Sequence, residues 1–364
     1  MLESLHIKNF RILKDLSINS LGRVNLITGK NNSGKSSLLE AITIFVTKGD
    51  LKYLIESIES RGESFIFDKN IRNFKEINTK AFATLFPNRV FDVKNIETLT
   101  IESSEKDDSS NKKHQKNLLA IKFDSFRNYR DKKKNTSVQS FGEYDFISDL
   151  GLRIAYNEGE LFFSLSSHLA YNLETINNFQ SISSINIDRE INSILWDKIY
   201  LTDKEDYVVD ALKIINPKAE KIGFVGDVSG KRKAILKSSD YLNPLPLKSM
   251  GDGINRILTI ILALVNAENG YLLIDEFENG LHHSAQEQLW EIIFHLAEKL
   301  NVQVFATTHS DDCIGGFEKS LNKPENKVSG ELIRLYNKNG FIKQIQYTAE
   351  DLKISVDQQI EIRG

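Results

Sequence analysis

The sequence predicts an α/β protein with a mixed sheet at its core, an antiparallel β lobe and a helical insertion. Buried strands alternate with helices near both ends of the chain, and a glycine-rich loop joins the first of these strands to its helix. Strand-like segments fill much of the middle. We therefore expect residues 1–364 to form one unit, with residues 1–47 and 243–364 as the core, residues 48–170 as the β lobe and residues 171–242 as a mainly helical insertion.

The N-terminal segment predicts two paired strands followed by a strand, a loop and a helix. Apolar and polar residues alternate up to Phe10, and a second strand-like stretch runs from Leu16 to Ile18. A short apolar strand from Arg23 to Thr28 then runs into the glycine-rich loop. From Lys35 to Val46 apolar residues recur at spacings of three and four, which indicates a helix with one buried face.

The middle of the chain predicts an antiparallel layer. Its candidate strands are Val90 to Glu102, Leu118 to Asp124, Leu152 to Tyr156 and Glu160 to Leu165. A solvated loop is expected from Glu105 to Lys116, because this stretch mixes both charge signs and has almost no apolar residues.

One basic segment permits two interpretations. Between residues 126 and 134 two aromatic residues alternate with basic ones, namely Phe126, Arg127, Tyr129, Arg130, Lys132, Lys133 and Lys134. Such a cluster is typical of a nucleic-acid contact, but a solvated peripheral loop is the more frequent explanation, and we favour it. The following stretch, Tyr171 to Ile215, predicts mainly helices.

The C-terminal third predicts alternating strands and helices, as a parallel sheet requires. Pro244 and Pro246 indicate an extended segment up to Ser249, before a short loop. The expected elements are an apolar helix Ile254 to Asn266, a strand Tyr271 to Ile274, a helix Ser284 to Leu300 and a strand Val302 to Ala306.

Composition indicates an ordinary globular protein of the cytoplasm. Hydrophobic residues make up 40% and charged residues 27%, and the net charge of -3 gives no global reason to bind nucleic acid. The single cysteine, Cys313, fits a reducing compartment. The first residues lack the pattern of a signal peptide, and the longest apolar run, Ile257 to Val265, is far shorter than the ~20 residues that span a bilayer. We expect no membrane association.

The glycine-rich loop matches the phosphate-binding pattern G-x-x-x-x-G-K-[ST] at every fixed position. It reads Gly29-Lys30-Asn31-Asn32-Ser33-Gly34-Lys35-Ser36, between the predicted strand and helix. Glycines let the backbone N–H groups turn toward a phosphate chain, and the helix adds the positive end of its dipole. We expect Lys35 to reach the β- and γ-phosphates of ATP and the Ser36 hydroxyl to ligate Mg²⁺. The predicted phosphate-binding residues are Gly29, Asn31, Asn32, Ser33, Gly34, Lys35, Ser36 and Ser37.

Two acids and a histidine are expected at the same sheet edge as this loop. Asp275 and Glu276 directly follow an apolar strand, so that Asp275 is the predicted Mg²⁺ ligand and Glu276 the predicted general base for the attacking water. His309 follows the next buried strand and is the third predicted catalytic residue beside Lys35 and Glu276.

Four segments together resemble the ABC-type ATPases of the OLD and RecF/SMC-like group, here as a stand-alone ATPase domain. They are Ile7-Lys8-Asn9-Phe10-Arg11, Asn25 to Ser36, Ser249 to Gly253, and Asp275 to His282. The resemblance implies a P-loop NTPase head that forms at least a dimer, with the two nucleotide sites shared between copies. It implies that Ser249, Gly251, Asp252 and Gly253 of one copy face the γ-phosphate held by the other. Arg256 would anchor the helix behind them, and the segment Glu278 to His282 would face the partner copy.

Two departures from this group affect the expected function. The glutamine that usually links Mg²⁺ to the variable lobe has no counterpart before Gln115. OLD nucleases also carry a Toprim domain, whereas only roughly 50 residues follow His309, too few for a domain of ~100 residues. We therefore expect any nuclease or toxin to be a separate protein.

The resemblance is compatible with three functions. The favoured one is an ATP-driven sensor or regulator of a separate effector in anti-phage defence. The alternative is a DNA-repair or chromosome-associated ATPase that clamps DNA, so contact with DNA stays open. A transporter ATPase is disfavoured because the glutamine contact is missing, and the lack of long heptad repeats disfavours SMC-like arms.

Overall fold

The computed structural model describes most of the chain. The residues described are 1–68, 70–90, 97–105, 115–130, 137–140, 149–165, 178–183, 189–226, 231–251, 253–358 and 362. The side chains of the basic segment between residues 126 and 134 lie outside the described part, as does Asp252.

Strands and helices alternate along the described chain. They are β1 (Leu5–Phe10), β2 (Leu13–Ile18), β3 (Val24–Thr28), α1 (Lys35–Val46), α2 (Leu51–Glu59), α3 (Phe74–Ala83), β4 (Leu99–Glu105), β5 (Gln115–Arg130), β6 (Ser137–Ser140), β7 (Asp149–Tyr156), β8 (Gly159–Ser164), β9 (Phe179–Ile182), α4 (Arg189–Asp197), α5 (Lys204–Ile215), β10 (Ala219–Gly226), β11 (Arg232–Ser238), β12 (Leu245–Pro246), α6 (Gly253–Asn266), β13 (Tyr271–Ile274), α7 (His283–Lys299), β14 (Gln303–Thr307), α8 (Asp311–Leu321), β15 (Gly330–Lys338), β16 (Phe341–Tyr347) and α9 (Ala349–Asp357). A 3₁₀ turn, Leu247–Met250, precedes α6.

The core sheet has the order β16-β15-β3-β14-β13-β9. Strands β15, β3, β14, β13 and β9 run parallel, and β16 pairs antiparallel with β15 at one edge. The sheet is therefore mixed, as predicted. Because β3, β13 and β14 point the same way, the residues that follow them meet at one edge of the sheet.

Alternating side chains on the core strands supply two hydrophobic cores. Leu26 on β3 and Leu272 on β13 face the core that also contains α6 and α7. Their neighbours Ile27 and Leu273 face the core formed with α1 and the antiparallel lobe. Successive residues of a strand face opposite sides of the sheet, and here both sides are covered by a hydrophobic core. The strands therefore appear in the sequence as continuous apolar runs.

The second sheet is the antiparallel lobe, in the order β2-β1-β4-β5-β7-β8, with β6 paired to β5. The lobe was predicted, but its boundaries differ from our expectation. Strands β1 and β2 belong to this sheet and not to the core sheet, and helices α2 and α3 precede β4 in the chain. The strand expected from Val90 begins only at Leu99 within the described residues.

The expectation of a mainly helical insertion at residues 171–242 was wrong in two places. Strand β9 pairs in parallel with β13 and completes the core sheet, because Phe179 and Ile182 find buried positions beside that strand. Strands β10 and β11 form an antiparallel hairpin whose buried residues, such as Ile222 and Leu236, pack on the α6 side of the core. Among the described residues of this range, α4 and α5 are the only helices.

None of the helices in the described part of the chain has the length and apolar character needed to span a bilayer.

Candidate active site

The glycine-rich loop joins β3 to α1 in a conformation that requires glycine. Gly29 has φ of 145°, and a Cβ atom there would lie 2.3 Å from the carbonyl oxygen of Leu335 on β15. Gly34 has φ of 96° and is the N-cap residue of α1. Both positions lie in the left-handed region, where side chains are strained. The motif therefore folds as its spacing predicts.

Lys35 is folded back into the loop. Its Nζ donates to the carbonyl oxygens of Gly29 at 2.6 Å and Lys30 at 3.0 Å. Burial lowers the pKa of Lys35, and the negative charges of Asp275, Glu278 and Glu276 oppose this shift. The ammonium group of Lys35 is thus held by the loop and lies in the electric field of the three acids.

Two hydroxyl oxygens in the loop region fit a phosphate chain. Thr28 Oγ1 and Ser33 Oγ are buried and have no hydrogen-bond partner among the residues that the structure describes. A buried hydroxyl without a partner is costly, and a phosphate oxygen is a strong acceptor for it. The cradle therefore suits the triphosphate of a nucleotide.

Asp275 and Glu276 follow β13 and are ordered by a single hydroxyl on β14. Thr307 Oγ1 donates to Asp275 Oδ1 at 2.6 Å and accepts the backbone N–H of Glu276 at 2.9 Å. Glu276 has φ of 50°, an uncommon conformation for a residue with a side chain. Thr307 and the unusual φ of Glu276 thus fix the turn of the chain after Asp275.

Arg256 on α6 also holds the turn formed by Asp275 and Glu276. Its side chain is 2% exposed and donates to the carbonyl oxygens of Asp275 at 3.1 Å and Glu276 at 3.2 Å. Burial lowers the pKa of Arg256, while Asp275, Glu276 and Glu278 raise it. The predicted anchoring arginine therefore contacts the backbone of both acids.

His309 lies beside Glu276, as expected from its position after β14. The distance from His309 Nε2 to Glu276 Oε1 is 3.7 Å. A neighbouring acid, Glu278, accepts hydrogen bonds from the hydroxyl of Thr308 at 2.8 Å and from the backbone N–H of His309 at 2.6 Å. The sequence placed Glu278 only in a loop facing a partner copy, and nothing in its spacing indicated these contacts.

An open cavity of about 510 Å³ adjoins the acids and the start of α1. Ser36, Asp275 and Glu276 line it together, so the predicted Mg²⁺ ligands share one space. Carboxylate and hydroxyl oxygens are ligands that Mg²⁺ accepts in nucleotide sites. Ser181 of β9 and Ser183, which follows this strand, also line the cavity.

A charged cluster beside α1 was not found from the sequence. The carboxylate of Glu40 forms ion pairs with Arg11 Nε at 2.5 Å and with Arg61 Nη2 at 2.6 Å. Arg61 also donates a hydrogen bond to Ser37 Oγ at 3.4 Å. Burial is the main reason that the pKa of Arg11 is lowered, and Glu40 opposes it. Arg11 belongs to the N-terminal segment that carried the resemblance, but its partner Glu40 on α1 could not be inferred from spacing.

The signature-like segment lies apart from this cavity in the single chain. Ser249 Oγ donates to the carbonyl oxygen of Pro246 at 2.6 Å, and Gly251 has φ of 113° with open space where a Cβ atom would be. Gly253 starts α6 and lies against Gly280. The fourth predicted residue, Asp252, is outside the described residues.

Two sequence relatives have different coverage. An ATP/GTP phosphatase of Helicobacter pylori is 25% identical over 386 residues, covering 100% of both chains. An uncharacterised protein of Methanocaldococcus jannaschii is 32% identical over 163 residues, which are 42% of this chain and 73% of that one.

Among solved structures, an SMC head bound to the C-terminal winged-helix domain of ScpA has a TM-score of 0.55 at 12% sequence identity, over 97% of this chain and 99% of that chain. At this identity the similarity concerns the fold alone.

A family model described as "AAA domain, putative AbiEii toxin, Type IV TA system" matches residues 24–312, more than half of the chain. The chain therefore belongs to this family and is a P-loop ATPase with the fold of ABC- and SMC-type heads.

Proposed function

We propose that ATP is hydrolysed with Mg²⁺ at the edge of the core sheet where Lys35, Asp275, Glu276 and His309 converge. This convergence is the observation that carries the proposal. Lys35 holds the β- and γ-phosphates, and Ser36 with Asp275 holds the metal. Mg²⁺ held by these residues would supply positive charge near the phosphoryl oxygens, where negative charge develops.

Glu276 is the general base in this proposal. Its carboxylate lines the cavity beside Ser36, and its backbone is fixed by Thr307 and Arg256, so the acid has a defined direction. It accepts the proton of the attacking water, and His309, 3.7 Å from it, lies where it can orient that water or a γ-phosphate oxygen. Positioning of this kind supplies much of the catalysis of phosphoryl transfer.

The complete site in this proposal contains two copies of the chain. One copy would leave the γ-phosphate open on one side. Gly251 offers a backbone that another molecule can approach closely, because no atom of the described residues lies within 4 Å of its Cβ position, its chain neighbours aside. Ser249, Gly251, Asp252 and Gly253 of the partner would add donors there. Loss of such donors slows hydrolysis more than it weakens binding.

The biological role we propose is a sensor or regulator that controls a separate effector in defence, as in the OLD-like ATPases. The family description, which names a toxin and a toxin-antitoxin system, supports a role of this class. A nuclease or toxin encoded beside this chain would be the effector to test. Suppression of that toxicity by the wild-type chain but not by Lys35→Ala would support this role, and equal suppression by both would contradict it.

The alternative role is a DNA clamp, and the basic residues between 126 and 134 are its candidate contact. A variant in which the basic residues of this segment are neutralised together distinguishes the DNA clamp from the effector regulator. These residues are Arg127, Arg130, Lys132, Lys133 and Lys134. The expected loop was wrong for Phe126 to Arg130, which lie at the end of β5, where Arg127 to Arg130 pair with β6. We still expect no salt-sensitive DNA affinity to be lost, because the net charge of -3 gives the chain no global attraction for nucleic acid. A DNA affinity that falls steeply with salt in the wild type and disappears in the variant would favour the clamp.

Phosphate release with ATP and with GTP tests the site itself, since the Helicobacter pylori relative is named an ATP/GTP phosphatase. Glu276→Gln should lower kcat by about 10² to 10⁴ and leave nucleotide affinity nearly unchanged, the range for a lost general base. Chelation of Mg²⁺ should stop release in the wild type. Glu287→Gln on the surface of α7 is the matched control. Wild-type turnover in Glu276→Gln would refute the assignment.

A further inference from the structure

Glu278 joins two segments that the chemistry needs in a fixed relation. One is its own loop, which begins with Glu276 after β13, and the other is the segment Thr308 to His309 after β14. The carboxylate accepts from the backbone N–H of His309 at 2.6 Å and from the Thr308 hydroxyl at 2.8 Å. Bonds to an ionised acceptor are stronger than bonds between neutral groups. The two oxygens of one side chain thus hold consecutive residues of the other segment.

The segment around His309 is anchored to the core sheet on its other side. The backbone N–H of Thr308 donates to Ile27 of β3 at 3.0 Å, and the Thr308 hydroxyl accepts from the backbone N–H of Ser310 at 3.0 Å. Thr308 is fully buried. Glu278 therefore completes a set of bonds that leaves the His309 backbone little freedom.

The loop of Glu278 also lies against the start of α6. The carbonyl oxygen of Glu278 accepts from the backbone N–H of Leu281 at 2.9 Å. A Cβ atom on Gly253 would lie 3.1 Å from the carbonyl oxygen of Gly280 in the same loop. The loop that carries Glu278 therefore contacts both the start of α6 and the segment of His309.

We infer that Glu278 is a positioning residue for hydrolysis, which holds His309 in its place beside Glu276. The inference rests on the proposed function, in which Glu276 and His309 act on the water and the γ-phosphate. Glu278 acts through His309, because its oxygens are engaged with Thr308 and His309. The hydrogen bonds of Lys35 in the phosphate loop do not involve Glu278, so we expect nucleotide affinity to depend on Glu278 much less than turnover does.

Three variants and one control test this inference. Glu278→Ala removes both bonds, Glu278→Gln keeps the length and one acceptor oxygen, and Thr308→Val removes the hydroxyl. Glu287→Ala removes an exposed carboxylate on α7 that pairs with Lys319 and serves as the control. For each variant, kcat and the equilibrium Kd of ATP are measured separately. Amide hydrogen exchange across residues 303–312 is followed without nucleotide.

Glu278→Ala should lower kcat about tenfold to 100-fold, the loss expected when a catalytic group is displaced by about an ångström. The Kd of ATP should change by less than about threefold, since the phosphate cradle is untouched. Glu278→Gln should restore part of kcat. Exchange of the His309 amide should be faster in Glu278→Ala than in the wild type and unchanged in the control.

A double-mutant cycle separates coupling from independent effects. If Glu278 and Thr308 act as one unit, the loss of kcat in the double variant is smaller than the product of the single losses.

Wild-type kcat in Glu278→Ala, unchanged exchange at His309, or equal losses in kcat and affinity would each overturn the inference. If Glu278→Ala does not fold, the double variant Glu278→Gln with Thr308→Val decides, because it loses the Thr308 bond and weakens the His309 bond. Wild-type kcat and exchange in that double variant would contradict the inference.

Failure of this inference differs from failure of the proposed function. If Glu276→Gln abolishes turnover while Glu278→Ala has none of the expected effects, only the positioning role is wrong. If Glu276→Gln hydrolyses ATP normally, the proposed site is wrong irrespective of Glu278.

Discussion

The Thr307 hydroxyl donates to Asp275 Oδ1 at 2.6 Å and thereby ties the end of β14 to the end of β13. The same oxygen accepts the N–H of Glu276, and Thr307 is 1% exposed. One buried hydroxyl thus orients the carboxylate of Asp275 and the backbone turn that aims Glu276. The two acids are adjacent in sequence, but their arrangement depends on the neighbouring strand.

Thr307→Val should lower kcat by about tenfold or more, because it removes both hydrogen bonds while it keeps the side-chain volume close to that of threonine. Thr307→Ser retains the hydroxyl and is the matched control. Steady-state kinetics with ATP at saturating Mg²⁺ measure the effect. Equal kcat in the valine and serine variants would show that the hydroxyl does not position the acids.

Lys35→Ala should abolish detectable nucleotide binding, whereas Glu276→Gln should bind ATP and retain it. The lysine supplies the cation in the phosphate cradle, and the glutamate is proposed to act only on the water. Isothermal titration calorimetry measures both affinities. Lys30→Ala, which leaves the Lys30 carbonyl oxygen in place, is the control. Wild-type affinity in Lys35→Ala would contradict the predicted role.

Gly251→Phe should keep ATP binding and lose turnover if two copies share each site. The described residues leave open space at this position, so an added side chain would obstruct a second molecule. The φ of 113° also strains any side chain there, and the control has to share this cost. Gly340→Phe is the matched control, since Gly340 also has positive φ and open space.

Mixing Gly251→Phe with Lys35→Ala completes this test. A mixed dimer contains one site with an intact loop and an intact signature, so part of the activity should return. Exchange of subunits is verified first with tagged chains. A mixture that is no more active than its separate components, despite exchange, would exclude the shared site.

Cys313 should make the unfolding free energy depend on pH in the alkaline range. Its thiol is fully buried, and burial is the main reason that its pKa is raised. Because the folded pKa exceeds the unfolded value of about 8.5, the stabilisation is complete below about pH 8.5 and is lost as the pH rises above it.

Urea unfolding of the wild type and of Cys313→Ala measures this dependence. The difference between their unfolding free energies should fall by about 1 kcal/mol from pH 8.5 to 9.5. Taking the difference cancels the contribution of Tyr271, whose pKa is also raised by burial. Parallel pH profiles for the two proteins would show that the thiol titrates as readily in the folded state.

The elements predicted best were those with a strong local pattern. The helix from Lys35 to Val46 was predicted with the observed boundaries, and β13 from Tyr271 to Ile274 likewise. Strand β9 was taken as helical because four residues carry too little periodicity to identify a strand, and its burial depends on β13. The defence role and the sharing of sites between copies stay predictions.

The sequence by itself determined the phosphate loop and the pair Asp275 and Glu276. In these motifs the residues that act together are neighbours in the chain, so a strand, a tight turn or a helix brings them into position locally. Tertiary structure alone decided the contacts of Thr307, Glu278 and Arg256. Each of these side chains reaches a different element, and its distance to that element is set by how the sheet and α6 pack together, which no spacing along the chain records.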